Sequence, residues 1–137
     1  MPALPTPTKS DSRLLAAVSY LSGIFGLPIL VPLIIYLISK EDRYARFHAL
    51  QALLFQLVLL VLGIGIIVLL WLVSILLFFI APIASSLVMC LMIPIIILLV
   101  VVGYLLLPLY FAYQAYQGVP FMLPGIGGIA LQNVGEE

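Results

Sequence analysis

The chain has 137 residues, of which 66% are hydrophobic and only 7% charged, and its formal net charge is zero. An ordinary soluble domain carries roughly 45–50% apolar and 25% charged residues, so this composition excludes a water-exposed globule and calls for lipid as the solvent. The balanced charge gives no electrostatic case for nucleic acid, and the length suits one compact bundle of a few membrane helices.

Residues 1–12 contain three prolines and several hydroxyl side chains. They predict a flexible, solvated tail that ends at a helix N-cap near Ser10 or Ser12. The apolar stretch that follows, Leu14 to Ser39, is too long for the h-region of a removable signal peptide, although Lys9 and Arg13 precede it. Gly23, Gly26, Pro28 and Pro32 crowd its middle, which predicts a break at Gly26-Leu27-Pro28. Two half-helices of that length are each too short to cross a bilayer, so the stretch reads as a shallow or re-entrant hairpin. Charge agrees: Lys9 and Arg13 lie before it and Lys40, Arg43 and Arg46 after it, and a hairpin puts both flanks on the cytoplasmic side.

From Ala49 to Gly135 no residue is charged. Two long transmembrane helices are expected there, one from about Arg43 to Phe79 and one from about Leu87 to Gln117. Kinks are expected near Pro94 and Pro108, and a stop at Gly118 and Pro120. The turn from Ala81 to Ser86 carries no Lys or Arg, as expected of the side away from the cytoplasm. Tyr36, Tyr44 and Phe47 at one boundary, and Tyr110, Tyr113 and Tyr116 at the end of the second helix, read as headgroup-level aromatics. The single cysteine, Cys90, reads as a packed small hydrophobe. Residues 119–137 read as an extended apolar tail that Pro120 and Pro124 keep from helix. The expected architecture is thus an all-α membrane protein: a small polytopic helical bundle with a broken N-terminal helical hairpin followed by two long transmembrane helices. Its transmembrane domain covers residues 13–118.

The informative stretch is Lys40 to Gln56. Asp42 is placed to cap the helix that follows, with acids at its start as the helix dipole prefers. Ala45, Ala49, Ala52, Gln56 and Gly63 fall on one face, a small-residue stripe for close packing against another helix, with Gln56 able to bond across it. His48 and Gln51 lie three apart on a neighbouring face near Arg43 and Arg46. That group reads either as a contact for a lipid headgroup or other anion, or as a positive-inside anchor whose arginines snorkel to water.

One His and one Cys supply no metal-ligand set, and the serines have no second base beside His48, so no cofactor, metal or catalytic site is expected. Without ionisable groups in the core of the two long helices, an ion-coupled carrier is not expected either. The Gly-rich tail lacks the Lys-Ser/Thr of a phosphate loop.

Arg46, Phe47, His48, Gln51 and Ala52, followed by two uncharged helices and then by Gly118, Pro120, Pro124 and Gln132, resemble the Tic-twenty-like membrane proteins. These are relatives of a subunit of the chloroplast inner-envelope protein-import translocon, with bacterial and archaeal members of unknown function. The resemblance implies an even-pass helical protein and admits an accessory or translocation role. The start lacks the Arg-rich character of a transit peptide, so a prokaryotic plasma membrane is expected rather than a plastid. The expected partners are membrane lipids and other membrane helices, through Arg43, Arg46, Phe47, His48, Gln51, Ala52 and Gln56. The alternative is a lipid- or small-solute-binding protein that uses the basic loop.

Overall fold

The structure is a computed structural model that describes residues 4–7 and 9–135, and among them every regular element is a helix. α1 (Ser10–Leu21) and α2 (Leu30–Ile38) are the two halves of the broken apolar stretch. Between them Gly26 takes φ 76°, a left-handed conformation that suits a residue without Cβ. The chain then reverses: Ser22 at the end of α1 lies against Gln56, whereas Tyr36 near the end of α2 lies against Arg46. The expected hairpin is therefore present, and it runs up and back along the first part of the next helix.

α3 (Arg43–Ile80) has 38 residues and is capped as expected, the Asp42 carboxylate accepting from the Ala45 N–H at 3.0 Å. At 1.5 Å per residue it is about 57 Å long. It ends at Ala81, whose N–H bonds the Leu77 carbonyl, and α4 (Pro82–Val101) starts at once with Pro82 in its first turn, where a proline costs no hydrogen bond. Ser85 and Ser86 therefore lie inside the return helix rather than in a loop. Ser85 Oγ donates to the Ser74 carbonyl at 3.1 Å and ties the two helices near their turn.

α4 runs through Pro94 as continuous helix. The irregularity falls later, in a π-helical turn from Val102 to Leu106, after which α5 (Leu107–Gln117) carries Pro108 in its first turn. Proline has no N–H to give and its ring crowds the carbonyl four residues back, so a locally widened turn just before it is a way through. Gly118, with φ 76°, closes α5 as a left-handed cap.

The segment expected to be wholly extended is only partly so: α6 (Ile126–Gly135) is a helix. Pro120 and Pro124 both precede it, and a proline restricts its own φ and the residue before it, leaving the residues beyond it free to form helix. Residues 4 and 5 also differ from a free tail, since Leu4 packs against the cluster of Phe47, Ala130, Leu131 and Val134 and Pro5 is buried. α1 begins at Ser10 with Lys9 in the cap position and no side-chain capping bond.

Two zones result. In the base, α1 packs on α3 and α5, α2 packs on α3, and α6 lies on α3. The core is there, built of Ala16, Ala17, Tyr20, Tyr44, Ala52, Phe55, Ala112 and Ala115. Beyond the base, α3 and α4 extend, alone among the described elements, as a two-helix arm whose residues are mostly exposed and apolar, Phe79 at 80% and Ile83 at 81%. Cys90 is exposed on this arm, where packing had been expected.

Candidate functional site

The polar side chains of the apolar segments converge in the base. Burying a hydrogen-bonding group without a partner costs free energy, so each must find one as the helices close. Gln56, 1% exposed, donates through Nε2 to the carbonyls of Ser19 and Tyr20, both at 3.2 Å, and so ties α3 to the end of α1, where the α1 carbonyls have no partner in their own helix. Ser22 Oγ completes this group by donating to the Ser19 carbonyl at 2.8 Å. Lower down, Tyr44 Oη donates to the Ala115 carbonyl at 2.7 Å and ties α3 to α5.

The third group joins three parts of the chain. The Leu123 N–H donates to Gln51 Oε1 at 3.2 Å, Gln51 Nε2 donates to Tyr20 Oη at 2.8 Å, and Tyr20 Oη lies 3.2 Å from His48 Nδ1. The Tyr20 oxygen accepts from Gln51 and pairs with Nδ1 of His48, the hydrogen of that second bond belonging to the phenol or to the imidazole according to the tautomer. Tyr20, His48 and Gln51 are all fully buried. Aromatic rings surround the imidazole, with centroids at 4.4 Å for Tyr44, 5.1 Å for Phe47 and 5.1 Å for Phe121. His48 Nε2 has no hydrogen-bond partner among the described residues. The arrangement is a latch: it holds the segment after α5 down onto α3 and α1.

Of the residues singled out from sequence, Phe47, His48, Gln51, Ala52 and Gln56 are brought together in this base, all turned inward. Arg43 is not among them and is exposed. Arg46 lies to one side, its guanidinium 4.9 Å from the centre of the Tyr36 ring. A headgroup pocket shared by Arg43, Arg46 and His48 is thus not assembled, because His48 points to the opposite, buried side of the helix. Tyr44 and Phe47, expected among the headgroup aromatics, are core residues at 1% exposure, whereas Tyr110, Tyr113 and Tyr116 are exposed as expected. The alanine stripe packs too, but within the chain: Ala52 belongs to the same buried cluster as Ala16 and Ala17 of α1.

The residue that sequence reasoning missed is Tyr20, the hub of the latch. A phenol inside an apolar half-helix needs a buried partner, and the polar pair His48 and Gln51 was the available signal. Gly127 was missed as well. A Cβ there would lie 2.8 Å from Gln51 Oε1 and 2.8 Å from Met122, so the start of α6 approaches the latch as only glycine allows. Among the described residues no three His, Cys, Asp or Glu side chains gather to hold a metal.

Comparison with curated proteins and with solved structures gives no match in either case. Residues 11–130 match the model of the magnetosome magnetite crystal formation protein family, MamF/MmsF. That match spans α1 from its second residue, α2, both long helices and the first half of α6, and it overturns the Tic-twenty-like resemblance. The resemblance rested on Arg46, Phe47, His48, Gln51 and Ala52, a run of seven positions of which four named residues are interior packing and latch residues. Helix packing demands such residues in many unrelated membrane proteins. The chain belongs to the magnetosome magnetite crystal formation protein family.

Proposed function

We propose that this chain is a multi-pass, non-enzymatic protein of a bacterial membrane that serves magnetite crystal formation as an accessory component. The carrying observation is the division of the surface. α3, and the return helix from Pro82 to Gln117, are 38 and 36 residues long and apolar enough to cross a membrane. Every described charged residue, from Lys9 to Arg46, belongs to the base, and the arm has none. At about 57 Å, α3 exceeds the roughly 30 Å hydrocarbon core, so it crosses with tilt and the apolar outer face of α2 lies in lipid as well. Family membership supports the role in crystal formation. The translocation role that the Tic-twenty-like resemblance admitted loses its support with that resemblance. In a magnetite-forming bacterium that carries this chain, deleting it is expected to change crystal size or shape, and re-expression to restore them. Crystals indistinguishable from those of the parent strain would remove the reading.

Topology is testable separately. With the base on the cytoplasmic side, as the positive-inside bias requires, cysteines at Arg43 and Gln132 in a Cys90→Ala background should be protected in intact cells. A cysteine at Ser86, beside the α3–α4 turn, should react with a membrane-impermeant reagent. The reverse pattern would invert the molecule. Labelling at all three positions would show that the arm does not cross. A second reading, contact with anionic lipid, keeps Lys40 and Arg43, which are exposed at the base, and loses His48, which is buried.

A further inference from the structure

The N-terminal hairpin stops part-way along α3. Its tip lies beside Gln56, where a Cβ on Gly23 would meet Gln56 Nε2 at 3.4 Å. That level is about 20 Å from the start of α3 at 1.5 Å per residue, and the helix continues for about 36 Å more. The return helix reaches the same base, since Tyr44 near the start of α3 bonds Ala115 near the end of α5. At the base level α1, α2, α3 and α5 therefore stand side by side, with α6 lying on α3, and among the described residues only α3 and α4 reach the level of the arm. A helix with its side chains is 10–12 Å across, which is about 80–110 Å² of membrane area, so two additional helices widen the base by roughly 160–220 Å².

This extra width faces lipid. Leu30, Leu33, Ile34 and Leu37 on α2 are exposed, and Phe25 in the hairpin turn is 77% exposed. Contiguous apolar surface of this kind is stable in hydrocarbon and not in water. The hairpin tip cannot reach the far leaflet, because two half-helices of 12 and 9 residues are well short of the roughly 20 needed to span.

We propose that the molecule is a membrane wedge: it occupies more area in the leaflet that holds α1 and α2 than in the opposite leaflet, and so favours membranes in which that leaflet is convex. The partner is a lipid surface of defined curvature. On the convex side of a tightly curved bilayer the lipids are spread apart, and apolar protein surface inserted there covers acyl chains that would otherwise meet water. The long arm anchors the wedge without adding comparable area on the concave side. The proposal rests on the spanning reading above.

The test uses the full chain with Glu41→Cys, an exposed base position, in a Cys90→Ser background. The protein is reconstituted into small sonicated and large extruded vesicles of one lipid composition. An impermeant maleimide then counts molecules whose base faces out, and detergent release counts those whose base faces in. Base-out molecules are expected to be enriched in the small vesicles by about twofold or more per unit of lipid, and base-in molecules depleted there. The opposite responses of the two orientations separate shape from any general effect of vesicle size. Equal densities and an equal orientation ratio in both sizes, with the protein resistant to alkaline extraction, would overturn the wedge and leave the spanning reading standing. Extraction of the protein from both sizes would overturn both.

Discussion

Replacing Tyr20 by alanine is expected to destabilise the protein by about 4–6 kcal/mol, a large share of a typical folding free energy of roughly 5–15 kcal/mol. Two losses combine. The ring is fully buried and packs on Phe111 and Phe121, with centroids at 5.8 Å and 5.9 Å, so its removal leaves a cavity between α1, α5 and the segment after it. The hydroxyl is the shared partner of Gln51 Nε2 and His48 Nδ1, so its removal leaves two buried polar atoms without a bond. Tyr20→Phe separates the terms: it keeps the ring and should cost about 1–3 kcal/mol. Unfolding of both variants in detergent micelles, followed by circular dichroism, measures the difference. Reactivity of a cysteine at buried Ala130 of α6, in a Cys90→Ala background, should rise in both as the latch loosens. A Tyr20→Phe variant as stable as the parent would mean that the hydroxyl chain from Leu123 to His48 does not hold the fold.

The second large effect concerns the alanine stripe. Ala49 and Ala52 are fully buried, each at 0% exposure, and Ala52 shares a buried cluster with Ala16 and Ala17. Small residues let two helix backbones approach closely, and a longer side chain there drives them apart. Ala49→Leu with Ala52→Leu is expected to cost about 2–6 kcal/mol, at roughly 1–3 kcal/mol for each overpacked position. The visible result should be a protein that still inserts in the membrane, since α3 becomes more apolar, but whose N-terminal hairpin is released. Limited proteolysis at the turn between α1 and α2 reads that release. A stripe reserved for another protein would give a different result: unchanged proteolysis and unfolding, with a smaller complex. The two outcomes decide whether α3 keeps this face for its own chain.

The lengths of the long helices, the break in the N-terminal stretch and the gathering of charge at one end were legible in the residues themselves. Hydropathy is a property of each side chain, proline acts on its own backbone and its neighbour's, and Asp42 caps its helix through an N–H only three residues away. Such signals need no knowledge of the rest of the chain. The turn between the long helices was read a few residues too wide for the same reason in reverse: Ser85 and Ser86 look like loop residues locally, and only the Ser74 carbonyl across the hairpin shows Ser85 to belong in the helix.

What the tertiary structure decided is where each polar group of the base goes. Gln51 meets a phenol 31 positions earlier and a backbone N–H 72 positions later, and Tyr44 meets a carbonyl 71 positions later. Nothing in the local pattern of Lys40 to Gln56 distinguishes a histidine aimed at a lipid headgroup from one aimed at Tyr20, since the two differ by a rotation of the helix about its axis. That rotation is set by which neighbours the helix can pack against, here α1 and the segment from Phe121 to Gly127. The chain states that His48 and Gln51 need partners; only the closed bundle supplies them, because a buried hydrogen bond is made between residues that folding, and not sequence order, brings into bonding distance.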